Sequence, residues 1–315
     1  AIMRIEIKIM PVMETDGQKM RNKAVGIGEV LWDMLPDGKK AGGAPANFTY
    51  HVSRFGIDGR IVSAVGPDSL GQEILDIFSL KGMQGIIPKV QFPTGTVQVT
   101  LDAAGIPVYR IMEGVAWDNI PYSAELDRLA SETGAVCFGS LAQRSPVSRA
   151  TVNRFLDAIP DDGQTLKIFD INLRQDFYSR EIICNSLEKC NILKINDEEL
   201  DTLGSMLQLH TDSIAGRCRD LMSLYGLRIL ILTCGAEGSY VFTADDCSYI
   251  KTPHVEVIDT VGAGDSFTGS FTAAIMKGLS PADAHRLAVD VSAFVCTQAG
   301  AMPSLPDCLV SKTGL

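Results

Sequence analysis

From Ala24 onward the chain alternates short apolar runs with stretches whose apolar residues recur at helical spacing. The runs Ala24–Gly28, Arg60–Val65, Ala135–Gly139, Lys167–Ile171, Ile192–Ile195 and Arg228–Thr233 predict strands. Amphipathic stretches such as Ala46–Phe55, Leu70–Lys81 and Asp197–Leu203 follow within a few residues and predict helices. Strands that are apolar on both faces and joined through helices build a parallel sheet covered on both sides, with ligands at the carboxyl ends of the strands.

Two stretches break this rhythm. Glu29–Pro36 is one; the other is Thr96–Asp102 with Pro107–Met112 around Ala103-Ala104-Gly105-Ile106, which has the period-2 character of a hairpin. Both predict a small β-layer set apart from the main sheet, like a lid over its edge. Residues 1 to 20 read poorly as a domain start, with a polar Glu-Thr-Asp-Gly-Gln-Lys stretch after a short apolar run. They are expected to be an extension or a remnant of expression, leaving 21–315 as one domain with lid segments near 29–40 and 93–115. The chain shows no internal repeat and no low-complexity segment.

Charge and cysteine content narrow the classes of function. The chain carries 28 Lys+Arg against 38 Asp+Glu, a formal charge of −10, which argues against a general nucleic-acid or anionic-membrane surface. The 8 cysteines form no C-x-x-C pair and have no histidine at zinc-ligand spacing, so reduced, mostly buried thiols are expected. Nothing approaches the run of about eighteen apolar residues that a membrane span needs, and no secretory signal can be assembled. The expected compartment is the cytoplasm.

The segment with the most chemistry is Asp259-Thr260-Val261-Gly262-Ala263-Gly264-Asp265. Val255–Ile258 before it is β-like, and Asp265–Lys277 after it reads as a helix of small and apolar residues. Glycines let successive N–H groups face one point, and the helix start adds free donors and a positive dipole end. Gly262, Ala263 and Gly264 are therefore expected to form an anion hole. An aspartate in a first turn also has a purely structural explanation. Beside an anion hole, however, a carboxylate can take the proton of an alcohol while the hole stabilises a transferring phosphoryl group. Other nucleotide motifs are excluded: there is no G-x-x-x-x-G-K-[ST], and G-x-G-x-x-G fails because Phe267 stands at its third glycine. An NAD-dependent oxidoreductase is disfavoured on that ground.

Gly42-Gly43-Ala44-Pro45-Ala46-Asn47 and the Asp259–Asp265 segment together resemble the two signatures of the ribokinase-like (PfkB-type) sugar kinases, over nearly the whole chain from about Lys23 to Pro306. The resemblance implies an α/β three-layer sandwich with a mostly parallel central sheet and a small β-sheet lid. It also implies ATP and Mg²⁺ as cofactors, K⁺ in some members, and homodimers formed through the lid. Asp265 becomes the catalytic base, and Arg174 in Asp170-Ile171-Asn172-Leu173-Arg174 the phosphate contact, a role that suits a guanidinium. Asp33, Gly42, Gly43 and Asn47 match the sugar-binding positions. Without the family, Gly42 to Asn47 reads equally well as helix-start punctuation.

Asn196 and Glu199 resemble the N-x-x-E element that organises water-coordinated Mg²⁺ and the ATP phosphates, and the same residues would make an ordinary helix cap. Thr233, Gly235 and Gly238 resemble the turn that approaches the nucleotide, which also reads as a plain hairpin. Asp259, Gly300 and Ser304 match a monovalent-cation loop.

The segments Gly28–Asp33, Gly42–Tyr50 and Phe138–Arg144 are similar to bacterial fructokinases, which makes fructose the expected acceptor. Ribose is less favoured, because Gln143 and Arg144 stand where ribokinases tend to carry a glutamate. Arg110 on the hairpin and Arg144 after a core strand are expected to line the substrate site, and either could meet the carboxylate of 2-keto-3-deoxygluconate. A catalytically silent sugar or nucleotide sensor is the remaining alternative.

Overall fold

The computed structural model describes residues 21–35, 38–101 and 107–314. The main sheet contains β1 (Lys23–Ile27), β4 (Asp58–Val62), β5 (Gln84–Ile86), β8 (Thr133–Phe138), β9 (Leu166–Asp170), β10 (Ile192–Asn196), β11 (Ile229–Thr233), β12 (Ser239–Phe242) and β13 (Cys247–Ile250). Their order is β13-β12-β11-β10-β9-β8-β1-β4-β5. Neighbours from β11 to β5 pair in parallel, whereas β12 and β13 close the edge as antiparallel strands. Because β1 lies between β4 and β8, the chain leaves it in one direction and later returns on its other side. The loops after β1 and β8 diverge there and open a crevice at the carboxyl ends of the strands.

Helices cover both faces, and α2 (Ser69–Leu80) packs Ile74 and Phe78 into a smaller cluster with Val30, Trp32 and Tyr50. α3 (Ala124–Ser131), α4 (Pro146–Ala158), α5 (Arg180–Lys189), α6 (Asp197–Leu207) and α7 (Ile214–Tyr225) place Leu126, Phe155, Ile183, Leu200 and Leu221 on one face. On the other, α1 (Ala44–Arg54), α8 (Ala263–Met276) and α9 (Pro281–Cys296) contribute Phe48, Val52, Phe267, Phe271 and Leu287. Strand residues alternate between these cores: Val136 and Phe138 join the first, Ala135 and Cys137 the second. This double burial accounts for the nearly unbroken apolar runs in the sequence.

The small sheet has the order β3-β2-β6-β7 and is built from β2 (Leu31–Leu35), β3 (Gly38–Gly42), β6 (Gly95–Leu101) and β7 (Pro107–Ile111). β2 runs antiparallel to β3 and parallel to β6, and β6 and β7 form an antiparallel pair. The hairpin's expected turn at Ala103–Ile106 and the expected extension at 1–20 lie outside the described residues.

Val255–Ile258 is not a strand. It pairs with no sheet, and its backbone turns instead to the end of α9, where the Ile258 and Asp259 N–H groups donate to the Cys296 carbonyl at 2.8 and 3.3 Å. Val257 and Ile258 are correspondingly exposed, at 57% and 67%. The short edge strand β5 and the antiparallel β13 were not anticipated, since neither carries a periodic pattern long enough to read.

α1 and α8 pack closely because Gly269 has no side chain; a Cβ there would lie 2.8 Å from the His51 Cβ and 3.0 Å from the Phe48 carbonyl oxygen. α1 also anchors the loop after α9, through His51 Nε2 to the Ala301 carbonyl at 2.8 Å and Tyr50 Oη to the Pro303 carbonyl at 2.9 Å. His51 is fully buried, and its Nδ1 has no partner. Burial, the largest influence, lowers its pKa from 6.5 to about 4, so the ring is neutral in the folded state. This contribution to stability is complete above the unfolded value of 6.5 and is lost as pH falls through about 4. It amounts to about 3 kcal/mol across that window. His51→Gln is expected to flatten the loss of urea stability between pH 6.5 and 4; an unchanged pH slope would count against it.

Candidate active site

Gly262 caps α8 in a left-handed conformation (φ 79°). A Cβ at this position would fall 2.5 Å from the Ala301 Cβ and 2.7 Å from its Cα, so only glycine admits both the turn and the loop pressed against it. The turn brings Asp265 into the first helical turn of α8 and leaves it half-buried in the crevice between β1 and β8. Asn47, in the first turn of α1, donates from Nδ2 to Asp265 Oδ2 at 2.7 Å. Burial raises the Asp265 pKa from 3.8 to about 6, and the nearby Asp170 charge adds to the rise. The Asn47 amide, Lys194 and Arg174 oppose it.

Lys194 and Asp170 are functional candidates that the motif reading missed. The Lys194 ammonium is buried and lies 3.1 Å from Asp170 Oδ1, while Thr268 Oγ1 donates to Asp170 Oδ2 at 3.1 Å. Burial works against the Lys194 charge, yet Asp170 and Glu199 outweigh it and hold its pKa above the ordinary value. A Cβ on Gly264 would stand 3.1 Å from Lys194 Nζ, which places the ammonium directly behind the glycine turn. A signal was available: a lysine inside Ile192-Leu193-Lys194-Ile195, a strand covered on both faces, requires a buried anion.

The N-x-x-E residues form a reciprocal cap on α6. The Glu199 N–H donates to Asn196 Oδ1 at 2.7 Å and the Asn196 N–H to Glu199 Oε2 at 2.9 Å. Glu199 Oε1 accepts from the Leu173 N–H at 3.0 Å, which ties this cap to the loop bearing Arg174. Arg174 itself is exposed and near enough to lower the pKa values of Glu29, Asp33 and Asp265. Thr233 is the register partner of Asn196, and the Gly235–Gly238 turn follows it between β11 and β12.

On the small sheet, Asp33 lies opposite Lys40, and a Cβ on Gly42 would come 3.3 Å from Asp33 Oδ2. Burial raises the Asp33 pKa, with Lys40 the largest opposing influence. Gly43 (φ 115°) presses against the Glu29 carbonyl, where a Cβ would come within 2.3 Å. Lys40 also crosses to the main domain face and pairs with Asp259 Oδ2 at 3.0 Å. Asp259 accepts from the Val261 N–H through Oδ1 and from the Gly300 N–H through Oδ2, each at 3.0 Å. Burial alone would raise Asp259, but these donors and Lys40 bring it below its usual value. Ser304 is exposed in the same loop.

The two remaining expected substrate contacts differ in environment. Arg110 is exposed on β7 opposite Gln98. Arg144 requires a correction: its charge is already used. Nε and Nη2 donate to the two Asp118 oxygens at 2.8 and 2.9 Å, and Nη2 also reaches the Met112 carbonyl at 2.5 Å. The guanidinium sits between the Trp117 and Phe177 rings, 4.1 and 4.4 Å from their centroids. A side chain clamped in this way supports the packing beneath the small sheet instead of meeting an acidic substrate.

The crevice closes on a cavity of about 10 Å³, room for about one water, lined by Glu29, Phe48, Phe138, Asp170, Asn172 and Asp265 among others. A wider concavity of about 510 Å³ beside β5 is lined by Arg60, Leu75, Phe78, Met83, Gln84 and Ile87 among others, with no carboxylate. Of these two cavities, only the one at the switch point of the sheet is lined by carboxyl groups.

Comparison with known proteins adds a family and relatives. The family described as pfkB family carbohydrate kinase matches residues 37–308. The chain is 29% identical to the ATP-dependent 6-phosphofructokinase of Thermoanaerobacterium thermosaccharolyticum, over 89% of this chain and 90% of that protein. It is 28% identical to the probable fructokinase-3 of Arabidopsis thaliana, over 90% of this chain and 88% of that protein. Among solved structures, an uncharacterized sugar kinase of Pyrococcus horikoshii superposes with a TM-score of 0.78 at 26% identity, covering 93% of this chain and 98% of that one.

Removing one member of a buried ion pair leaves the other charge uncompensated. Lys194→Met is expected to cost about 3–5 kcal/mol in urea denaturation, with much of the loss recovered in the Lys194→Met/Asp170→Asn double variant. A loss below about 1 kcal/mol, the scale of exposed pairs, would show that the pair does not organise the site.

Proposed function

The chain belongs to the pfkB family of carbohydrate kinases, phosphotransferases that act on a sugar hydroxyl, and we propose that its acceptor is fructose and its phosphoryl donor ATP. The observation that carries the mechanism is Asp265, a half-buried carboxylate at the start of α8, beside the glycine turn and bonded to Asn47. Asp265 accepts the proton of the attacking hydroxyl. The N–H groups of Gly262 and Gly264, with Lys194 behind them and Arg174 at the rim, offset the negative charge of the transferring phosphoryl group, whereas the Ala263 N–H already donates to the Thr260 carbonyl at 3.2 Å. Asp33, Gly42, Gly43 and Asn47 hold the sugar from the small-sheet side. Asn196, Thr233, Gly235 and Gly238 line the approach of the nucleotide.

A divalent cation fits this site only as a companion of the nucleotide. Among the described residues no three His, Cys, Asp or Glu side chains cluster to hold a metal, and both Glu199 oxygens already accept backbone N–H groups. Glu199 would therefore meet Mg²⁺ through water. When bound, the ion neutralises phosphate charge. A monovalent cation fits less well, because the Asp259 carboxylate already bears the Lys40 ammonium and two backbone N–H groups.

Of the two arginines expected to meet an acidic acceptor, Arg144 is neutralised by Asp118, which counts toward fructose. The probable fructokinase-3 of Arabidopsis supports the same choice.

ADP release with Mg-ATP is expected to be fastest with fructose in a panel that includes ribose, 2-keto-3-deoxygluconate, glucose and fructose 6-phosphate. A preference for either acidic sugar would overturn the assignment of acceptor. Asp265→Asn should lower kcat by about 10²–10⁴-fold while nucleotide binding persists. The wild-type rate should also fall as pH drops through about 6, where Asp265 takes up its proton; a rate indifferent to pH in that range would remove Asp265 as the base.

A further inference from the structure

Glu29 has no part in the chemistry described so far, yet it lies at the centre of it. It follows β1 at the switch point of the sheet, and its backbone is fixed on both sides. Ser63 Oγ donates to the Gly28 carbonyl at 2.6 Å, and Gly43 packs onto the Glu29 carbonyl so closely that a Cβ would come within 2.3 Å. The side chain is 3% exposed, and its Oε2 has no hydrogen-bond partner. It lines the same cavity of about 10 Å³ as Asp265, with space for about one water or hydroxyl.

The groups facing Glu29 decide its charge. Asp265 comes from α8 and Asp170 from the end of β9, both acidic, and the Cys137 thiol comes from β8. The nearby cations are Lys194, committed to Asp170, and Arg174, exposed at the rim. A second buried carboxylate in this cavity would be an unpaired charge beside a like charge, which two neighbouring carboxyls avoid by keeping one proton between them.

We propose that Glu29 is a positioning residue for Asp265: across their shared cavity it carries the proton of the pair, so that the site holds one negative charge and Asp265 is the member free to act as base. Burial, reinforced by Asp265, raises the Glu29 pKa from 4.5 to about 7, against the opposing pull of backbone N–H groups and Arg174. The pair loses its protons in two steps. The singly protonated form is the active one, and ionisation of Glu29 at higher pH places a second charge beside the base and the incoming phosphates.

The inference rests on the kinase reading, and the pH dependence of kcat/KM tests it. In the wild-type enzyme the profile should be bell-shaped, with an alkaline limb beginning near pH 7. Glu29→Gln, which keeps the shape and a hydrogen-bond donor without the charge, should retain the acid limb and lose the alkaline one. An alkaline limb that survives in Glu29→Gln overturns the proposal, as does a folded Glu29→Gln that binds nucleotide but is inactive at every pH. Should that variant fail to fold, the absence of any alkaline limb in the wild-type enzyme has the same force. If no sugar is turned over at all, the choice of substrate has failed, and the pair is examined in the free protein. The infrared carbonyl stretch of a protonated carboxylic acid should then be present at pH 6.5 in the wild-type protein; its absence there, or its full retention in a folded Glu29→Gln, overturns the proposal.

Discussion

The site depends on a single buried cation. Lys194 stands among Asp170, Glu199 and Asp265, and without it several carboxyl groups would share one poorly solvated crevice. Its pairing with Asp170 is direct, at 3.1 Å, and Asp170 is held in turn by Thr268 on α8. The pair thus links a strand of the central sheet to the helix that presents Asp265. Charge and architecture are coupled here, because the ammonium that compensates the carboxylates also limits how large the residue at position 264 can be.

Around this pair the backbone is held by close approaches instead of large side chains. Gly262 accommodates the loop at Ala301, Gly43 accommodates Glu29, and Gly269 accommodates α1. Each glycine lets two segments meet where a Cβ would collide, so the turn before α8, the end of β1 and the start of α1 converge on one point. The loop after α9 is fastened to α1 by His51 and Tyr50, and Lys40 carries a charge from the small sheet onto Asp259. In this arrangement an ion pair joins the small sheet to the loop before α8, beside the glycine turn.

How much was legible in advance differs by kind of residue. The strands β1, β4, β8, β9, β10 and β11, and helices such as α1 and α6, follow from apolar periodicity, because double burial writes itself into nearly every position of those strands. The glycine turn and Asp265 were legible because their spacing has few other uses. Val255–Ile258 misled because apolar, β-branched residues were read as a strand, whereas they run exposed along the end of α9. Arg144 misled for a different reason. Its partner Asp118 is 26 positions away, and nothing local reveals that the two side chains neutralise each other between aromatic rings.

The sequence by itself determined the α/β class, the order of the main elements and the glycine turn that sets Asp265 at the start of a helix, since these depend on local periodicity and short-range turn chemistry. Only the tertiary structure decided which charges meet. Glu29, Asp170, Lys194 and Asp265 come from four separate elements, and whether each is a solvated surface group or part of one coupled cluster depends on burial and distances of a few ångströms. Those quantities arise when the sheet closes and the helices pack, so no single stretch of the chain encodes them.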